Sequence, residues 1–211
     1  MRVDNINIDM KKENEDRECT DIYPVLRDRI ALLEYEPGEV LQEEELVEEF
    51  SCSRTPVRKA FIRLEDRGFI KRVPKKGTYV SPIDCHSLKG HFQIRKYLLK
   101  LVAKQVVQNI TEEDLNRLEA IVREMSEEKD PRKLVRFDLE FHRAVYEATH
   151  NRLLEQIMGL VLIKTFRIWL FLSGRMLPPN AGEDFSSLVE ALEERDEGKV
   201  EEILVDHSQQ A

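Results

Sequence analysis

The chain has 211 residues, 41% of them apolar, with 33 Lys and Arg against 41 Asp and Glu and a formal net charge of −8. As a total, that acidity speaks against a nucleic-acid partner, whose first signature is a basic domain, yet residues 51–80 alone hold nine basic and two acidic side chains, a local +7 within a remainder at −15. The most apolar stretch, residues 160–172, spans 13 positions and includes Lys164 and Arg167; a bilayer helix needs roughly 20 apolar residues, so a membrane span is excluded there and a buried helix is expected.

Residues 1–19 are polar, charged and without apolar periodicity, and read as a mobile arm. They lack the apolar core of a secretion signal. Cys19, Cys52 and Cys85 are odd in number and show no CxxC spacing, which fits free thiols in a reducing cytoplasm. A helix is expected to open at Thr20 or Asp21, with Pro24 in its first turn and Ile22, Val25, Leu26, Ile30 and Leu33 on one side. Pro37-Gly38 ends that unit in a turn. Helices follow at about 43–50 and 54–67, separated by Ser51-Cys52-Ser53, and Gly68 is placed to stop the second in the left-handed conformation. Two extended runs, Phe69 to Val73 and Thr78 to Ser81, flank the basic turn Pro74-Lys75-Lys76-Gly77.

Residues 20–82 thus outline a winged helix-turn-helix with a small β-hairpin wing. A linker at 83–87 leads to residues 88–211, where the pattern is helical almost throughout: about 87–109, 111–128, 131–149, 151–173, 184–196 and 197–208. The expected fold is mainly α, with a C-terminal all-α bundle of about six helices.

The basic island has a direction. At 100° per residue, Val57, Ala60, Phe61 and Leu64 share an apolar sector of helix 54–67, and Thr55, Arg58, Lys59 and Arg63 lie opposite, with Arg54 at the helix start. A helix N-terminus bearing Arg54, Thr55 and Arg58 suits the DNA major groove, where Arg pairs bidentately with the O6/N7 edge of guanine. Lys75 and Lys76 around Gly77 suit the DNA backbone or the minor groove.

The stretch LQEEELVEEFSCSRTPVRKAFIRLEDRGFIKRVPKKGTYV resembles the winged helix-turn-helix of the GntR family of bacterial transcription regulators, whose hallmark Ser-Arg-Thr-Pro-Val-Arg run is intact at Ser53 to Arg58. Arg63, Leu64, Gly68, Gly77 and Val80 also sit where that pattern wants them. The resemblance covers about residues 21–82. It implies that Arg54, Thr55 and Arg58 read the operator and that Gly77 approaches DNA in the wing. Many members carry a DNA-contacting Arg early in the preceding helix; Glu44 stands at the corresponding place here.

The helical half places ionisable residues on apolar faces. In helix 131–149 the apolar sector is Leu134, Phe137, Phe141, Ala144, Val145 and Ala148, and Asp138 and His142, spaced i,i+4, fall inside it. His207 projects from the Val200, Ile203 and Leu204 side of the last helix. One carboxylate and two imidazoles form a ligand set suited to Zn, Ni, Mn or Fe(II), with positions left for water or a ligand carboxylate. Satisfied core histidines are the plain alternative. Arg95 shares an azimuth with Phe92, Leu99, Val102 and Val106 and points inward, toward either a bound carboxylate or an internal acid. His86, His91 and His150 have no comparable setting.

This half resembles the FCD ligand-binding domain of the FadR subfamily of GntR regulators over about residues 88–208: Arg95 near the start of its first helix, Asp-x-x-x-His in FDLEFHRAVYEATHN with Asn151 just after, Ala191, Leu192 and Asp196, and the late His207. Members commonly hold a divalent metal through one Asp and three His and sense small organic acids. The resemblance therefore implies a metal at Asp138, His142 and His207, with the third expected His falling at Phe185, and an effector near Arg95 and Phe185. Asp184 lies about 100° from Phe185 around the helix, a poor position from which to substitute.

The sequence thus points to a homodimeric regulator that binds a palindromic double-stranded DNA operator through Arg54, Thr55, Arg58, Lys59, Lys75, Lys76 and Gly77 and answers to a small carboxylate. The alternatives are a metal-free regulator of an apolar or acyl effector, a helical half used only for dimerisation, and a metal-dependent hydrolase. No HExxH, nucleophile elbow or phosphate-binding glycine loop supports the last.

Overall fold

The computed structural model describes residues 21–84, 86, 88–174 and 181–210. The expected arm at 1–19 lies outside the described residues, as do Thr20, Cys19 and Cys85. The chain divides into two compact units between Pro82 and Ile83.

The first unit contains α1 (Ile22–Ala31), β1 (Val40–Leu41), α2 (Glu43–Glu49), α3 (Arg54–Asp66), β2 (Ile70–Val73) and β3 (Gly77–Val80). Asp21 caps α1, its carboxylate accepting the Tyr23 N–H at 3.2 Å. α3 buries the sector that its periodicity marks, Val57, Ala60, Phe61 and Leu64, and packs on α1, which buries Ile22, Leu26 and Ile30. That contact holds the opposite face of α3 toward solvent. The helix stops at Gly68, which has φ +76°; the Gly68 N–H donates to Glu65 O and the Phe69 N–H to Leu64 O, both at 2.9 Å, closing a Schellman motif.

The sheet is antiparallel and three-stranded in the order β1-β3-β2. β2 and β3 form the expected hairpin, with Ile70 opposite Val80 and Val73 opposite Gly77. β1 was not expected. Two residues are too short to show alternation, and Val40 and Leu41 are strand only because Tyr79 and Thr78 pair with them.

Among its described residues the second unit has six helices, in line with the expected all-α bundle of about six: α4 (Leu88–Asn109), α5 (Glu112–Glu127), α6 (Pro131–Glu147), α7 (Arg152–Leu172), α8 (Ala181–Glu193) and α9 (Glu197–Gln210). Thr111 and Asp114 form a capping box on α5, and Asp130 with Pro131 opens α6. α4 packs on α7 and α9, α6 lies between α5 and α7, and α8 packs on α5 and α9. Because α6 is covered on two sides, its buried face is wider than the stripe read from sequence: Val135, Leu139 and Tyr146 are buried as well, and Leu134 and Phe137 only half so.

α8 begins three residues earlier than expected and ends at Glu193 rather than at 196. The break falls at Arg195, which has φ +53° and whose guanidinium donates to Val107 O at 2.6 Å and Ile110 O at 3.2 Å, satisfying carbonyls at the end of α4. Among the described residues no helix is long and apolar enough to cross a membrane.

Candidate nucleic-acid interface and metal centre

Arg54, Thr55, Arg58 and Lys59 are all exposed on the face of α3 opposite its buried sector. The two arginines are not bare cations. The Arg58 Nε lies 3.0 Å from both Glu43 carboxylate oxygens and its Nη2 3.0 Å from Oε1. The Arg54 Nη2 lies 3.3 Å from Glu44 and its Nε 3.9 Å from Glu43. The hydrogen bond that Arg58 donates to Glu43 raises the Arg58 pKa above its ordinary value. Arg63, on the same helix, is drawn to α1 instead: it donates to both Asp21 oxygens at 3.1 and 3.0 Å and sits over the Tyr23 ring at 3.9 Å. In the wing, Lys75, Lys76 and Gly77 are exposed. Lys75 has φ +63° and Gly77 φ +122°, and the Tyr79 hydroxyl donates to Lys76 O at 2.8 Å, fixing the turn.

In the second unit α6 and α9 bring Asp138, His142 and His207 together, at 3%, 3% and 5% exposure. One potential ligand atom from each lies within 4.8 Å of the others. The Asp138 Oδ1 and the His142 Nδ1 are buried without hydrogen-bond partners, a costly arrangement that a bound cation would relieve. The residues therefore fit a divalent metal. The His207 Nδ1 is 2.9 Å from the Asp184 Oδ2, and its Nε2 faces the Asp138 Oδ1 at 3.8 Å, in ion-pair rather than hydrogen-bond range. Burial, then the charges of Arg95 and His207, push the His142 pKa well below the usual imidazole value. At His207 burial acts the same way, but Asp138 and Asp184 outweigh it and the pKa is raised.

The Asp184 contact joins two helices, and a helical angle within one of them does not reveal it. Asp184 stands outside the three-residue cluster, yet it fixes the ring of His207, as a carboxylate does behind a metal-bound histidine. Phe185 stacks on Phe141 at 4.1 Å between centroids and backs both imidazoles, at 5.6 Å from His142 and 4.9 Å from His207. It sits behind the rings rather than on the cavity wall.

Arg95 does line that cavity, at 3% exposure, with its Nη2 3.5 Å from the His142 Nε2 and its Nε unpartnered. No carboxylate among the described residues lies within ion-pairing distance of it. Thr165, Phe166 and Trp169 of α7 complete the wall with Phe92. From sequence α7 reads only as a buried helix, and its part in the site comes from packing. The cavity encloses about 10 Å³, room for about one water.

The residues of the two sites fall in segments matched by two family descriptions: "Bacterial regulatory proteins, gntR family" over residues 19–80 and "FCD domain" over residues 91–210. Relatives include the HTH-type transcriptional repressor RspR of Escherichia coli strain K12, 28% identical over 193 residues covering 90% of this chain and 85% of the relative. The HTH-type transcriptional regulator LutR of Bacillus subtilis strain 168 is 31% identical over 162 residues, 65% of this chain and 74% of the relative. In fold the chain is similar to E. coli McbR/YncC, with a TM-score of 0.77 at 21% identity, covering 90% of this chain and 92% of that one. The chain belongs to the FCD-domain regulators of the gntR family and is a DNA-binding transcription regulator, not an enzyme.

Proposed function

We propose that this regulator binds a palindromic operator as a homodimer and that a small organic acid, held at a divalent metal in the helical unit, sets its operator affinity. On this reading Arg54, Thr55 and Arg58 face bases in the major groove, Lys59 meets phosphate, and Lys75, Lys76 and Gly77 bring the wing to the DNA backbone or the minor groove. Self-association is supported by an apolar stripe of Ile94, Tyr97 and Leu101 on α4 beside Leu153 and Ile157 on α7, all more than 40% exposed. A twofold dimer matches a palindromic site.

The observation that carries the effector reading is the meeting of a three-residue ligand cluster with a buried arginine that lacks a carboxylate partner. Asp138, His142 and His207 would hold the metal, and two nitrogens with one oxygen suit Zn, Ni, Mn or Fe(II). When bound, it supplies a Lewis-acidic site for an anion. Arg95 supplies the second positive group and favours a carboxylate spanning both. The small cavity holds an ion as it stands and weighs against an acyl chain, which would need the bundle to open. Effector binding then favours one of two conformers that differ in operator affinity.

The test is metal analysis of protein purified without chelator, beside Asp138→Ala. About one equivalent in the parent and a loss in the variant supports the site. Equal, substoichiometric metal in both removes the metal from the reading and leaves the alternative of a helical unit that only dimerises.

A further inference from the structure

The ion pairs on the reading head have a chemical consequence. A guanidinium carries five N–H donors in a fixed fork. Glu43 engages Arg58 side-on, through Nε and Nη2, and so leaves the end-on edge, one hydrogen from each Nη, undirected. Arg54 is held by Glu44 and more distantly by Glu43. Glu43 is well fixed, with its side chain 22% exposed, whereas Glu44 is 65% exposed and its pair is loose.

Phosphate and base edge meet such a pair differently. A phosphate approaching Arg58 or Arg54 brings a full negative charge beside a carboxylate, and must either displace it or bear the repulsion. The O6/N7 edge of guanine is a neutral pair of acceptors and can take the end-on hydrogens while the carboxylate stays in place. The carboxylate can in turn accept from a cytosine N4 amino group, the base-edge donor that suits Glu. An arginine with its own carboxylate therefore favours bases over backbone, and G·C over A·T.

We propose that Glu43 and Glu44 are specificity-determining residues of this regulator, withholding Arg58 and Arg54 from phosphate and presenting them to G·C pairs in the major groove. Glu43 acts as a positioning residue through Arg58. Glu44 is a displaceable counter-charge on Arg54. The proposal rests on the reading of Arg54 and Arg58 as groove-facing.

The experiment uses the full chain and two fluorescent duplexes of equal length, one selected by the parent from a randomised library and one of random sequence. Binding is measured by anisotropy over a series of salt concentrations for the parent, Glu43→Gln, Glu44→Gln, the double variant and Arg58→Ala. Gln keeps the shape and removes the charge. The double variant should bind the random duplex more tightly, with a salt slope steeper by up to about 0.9 for each freed arginine. Its preference for the selected duplex should fall by about fivefold or more, the lower end of what a bidentate base contact discriminates. Glu43→Asp should recover part of that preference. A preference within twofold of the parent's, or an equal loss on both duplexes, overturns the proposal, because the pairs would then only brace α2 against α3. If Glu43→Gln does not fold, the exposed Glu44→Gln pair decides alone by the same criteria. Arg58→Ala separates the two failures: unchanged binding by that variant refutes the groove-facing reading itself, whereas its loss alongside an unchanged Gln variant refutes the present proposal only.

Discussion

Arg58 and Arg95 show one side chain in two opposite settings. Arg58 stands in solvent at 60% exposure with a carboxylate already on its flank. Arg95 is buried at 3% exposure, and no carboxylate among the described residues pairs with it. A surface ion pair adds little to stability and is screened by salt, so it leaves Arg58 free to turn its open edge to a base. A buried cation without a counter-charge is costly and gains greatly from an anion that reaches it. The first arrangement suits reversible DNA reading, where contacts must form and break along a duplex. The second suits a selective ligand site. The net charge of −8 conceals both, because it counts Arg58 as free charge and gives no weight to where Arg95 lies.

The largest expected effect breaks the comparison at its exposed end. Arg54→Ala with Arg58→Ala should weaken binding to a selected duplex by about 1–3 kcal/mol for each arginine, measured by fluorescence anisotropy at fixed salt, while Arg95→Ala leaves effector-free binding as in the parent. Next comes the metal cluster. Adding Zn at about 100 times its dissociation constant should stabilise the parent by about 2.7 kcal/mol, visible as a rise in thermal unfolding midpoint that Asp138→Ala abolishes.

A smaller effect sharpens the account at Asp184. Asp184→Asn removes the acceptor behind His207 and should weaken metal binding about 10–100-fold, read by competition with a chromogenic chelator. The same residue controls pH dependence. The His207 pKa is raised in the folded, metal-free chain, so its contribution to stability is present below about 6.5, the unperturbed imidazole value, and is lost as pH rises through the higher folded value. Metal binding runs in the opposite direction, since the proton must leave. The Zn-induced rise in unfolding midpoint should therefore be larger at pH 8 than at pH 6. With Asp184→Asn the fall at low pH should move to still lower values.

What the sequence disclosed was whatever repeats along one helix or sits in a contiguous run. The buried face of α3, the stop at Gly68, the wing turn at Gly77 and the inward i,i+4 pair Asp138 and His142 are all of that kind. The partners fifteen or more residues away were not visible: Glu43 on Arg58, Asp184 on His207, and Arg195 on the end of α4. Each depends on how two elements come together, and helical periodicity carries no such information. β1 was hidden for a related reason, being a strand only through its neighbour β3. For Asp184, an angle around an ideal helix decides whether the carboxylate can replace a histidine at position 185 but carries nothing about its contact with His207 on another helix.

The central claim is that the buried cluster governs the exposed reading head. The most direct measurement is the dissociation constant of the parent for its selected duplex, first in chelator and then with Zn and each of a panel of small mono- and dicarboxylates, repeated with Asp138→Ala and Arg95→Ala. The account predicts a shift of about fivefold or more with at least one carboxylate in the parent and none in either variant. A parent whose dissociation constant stays the same across the panel, or variants that shift as the parent does, would contradict it.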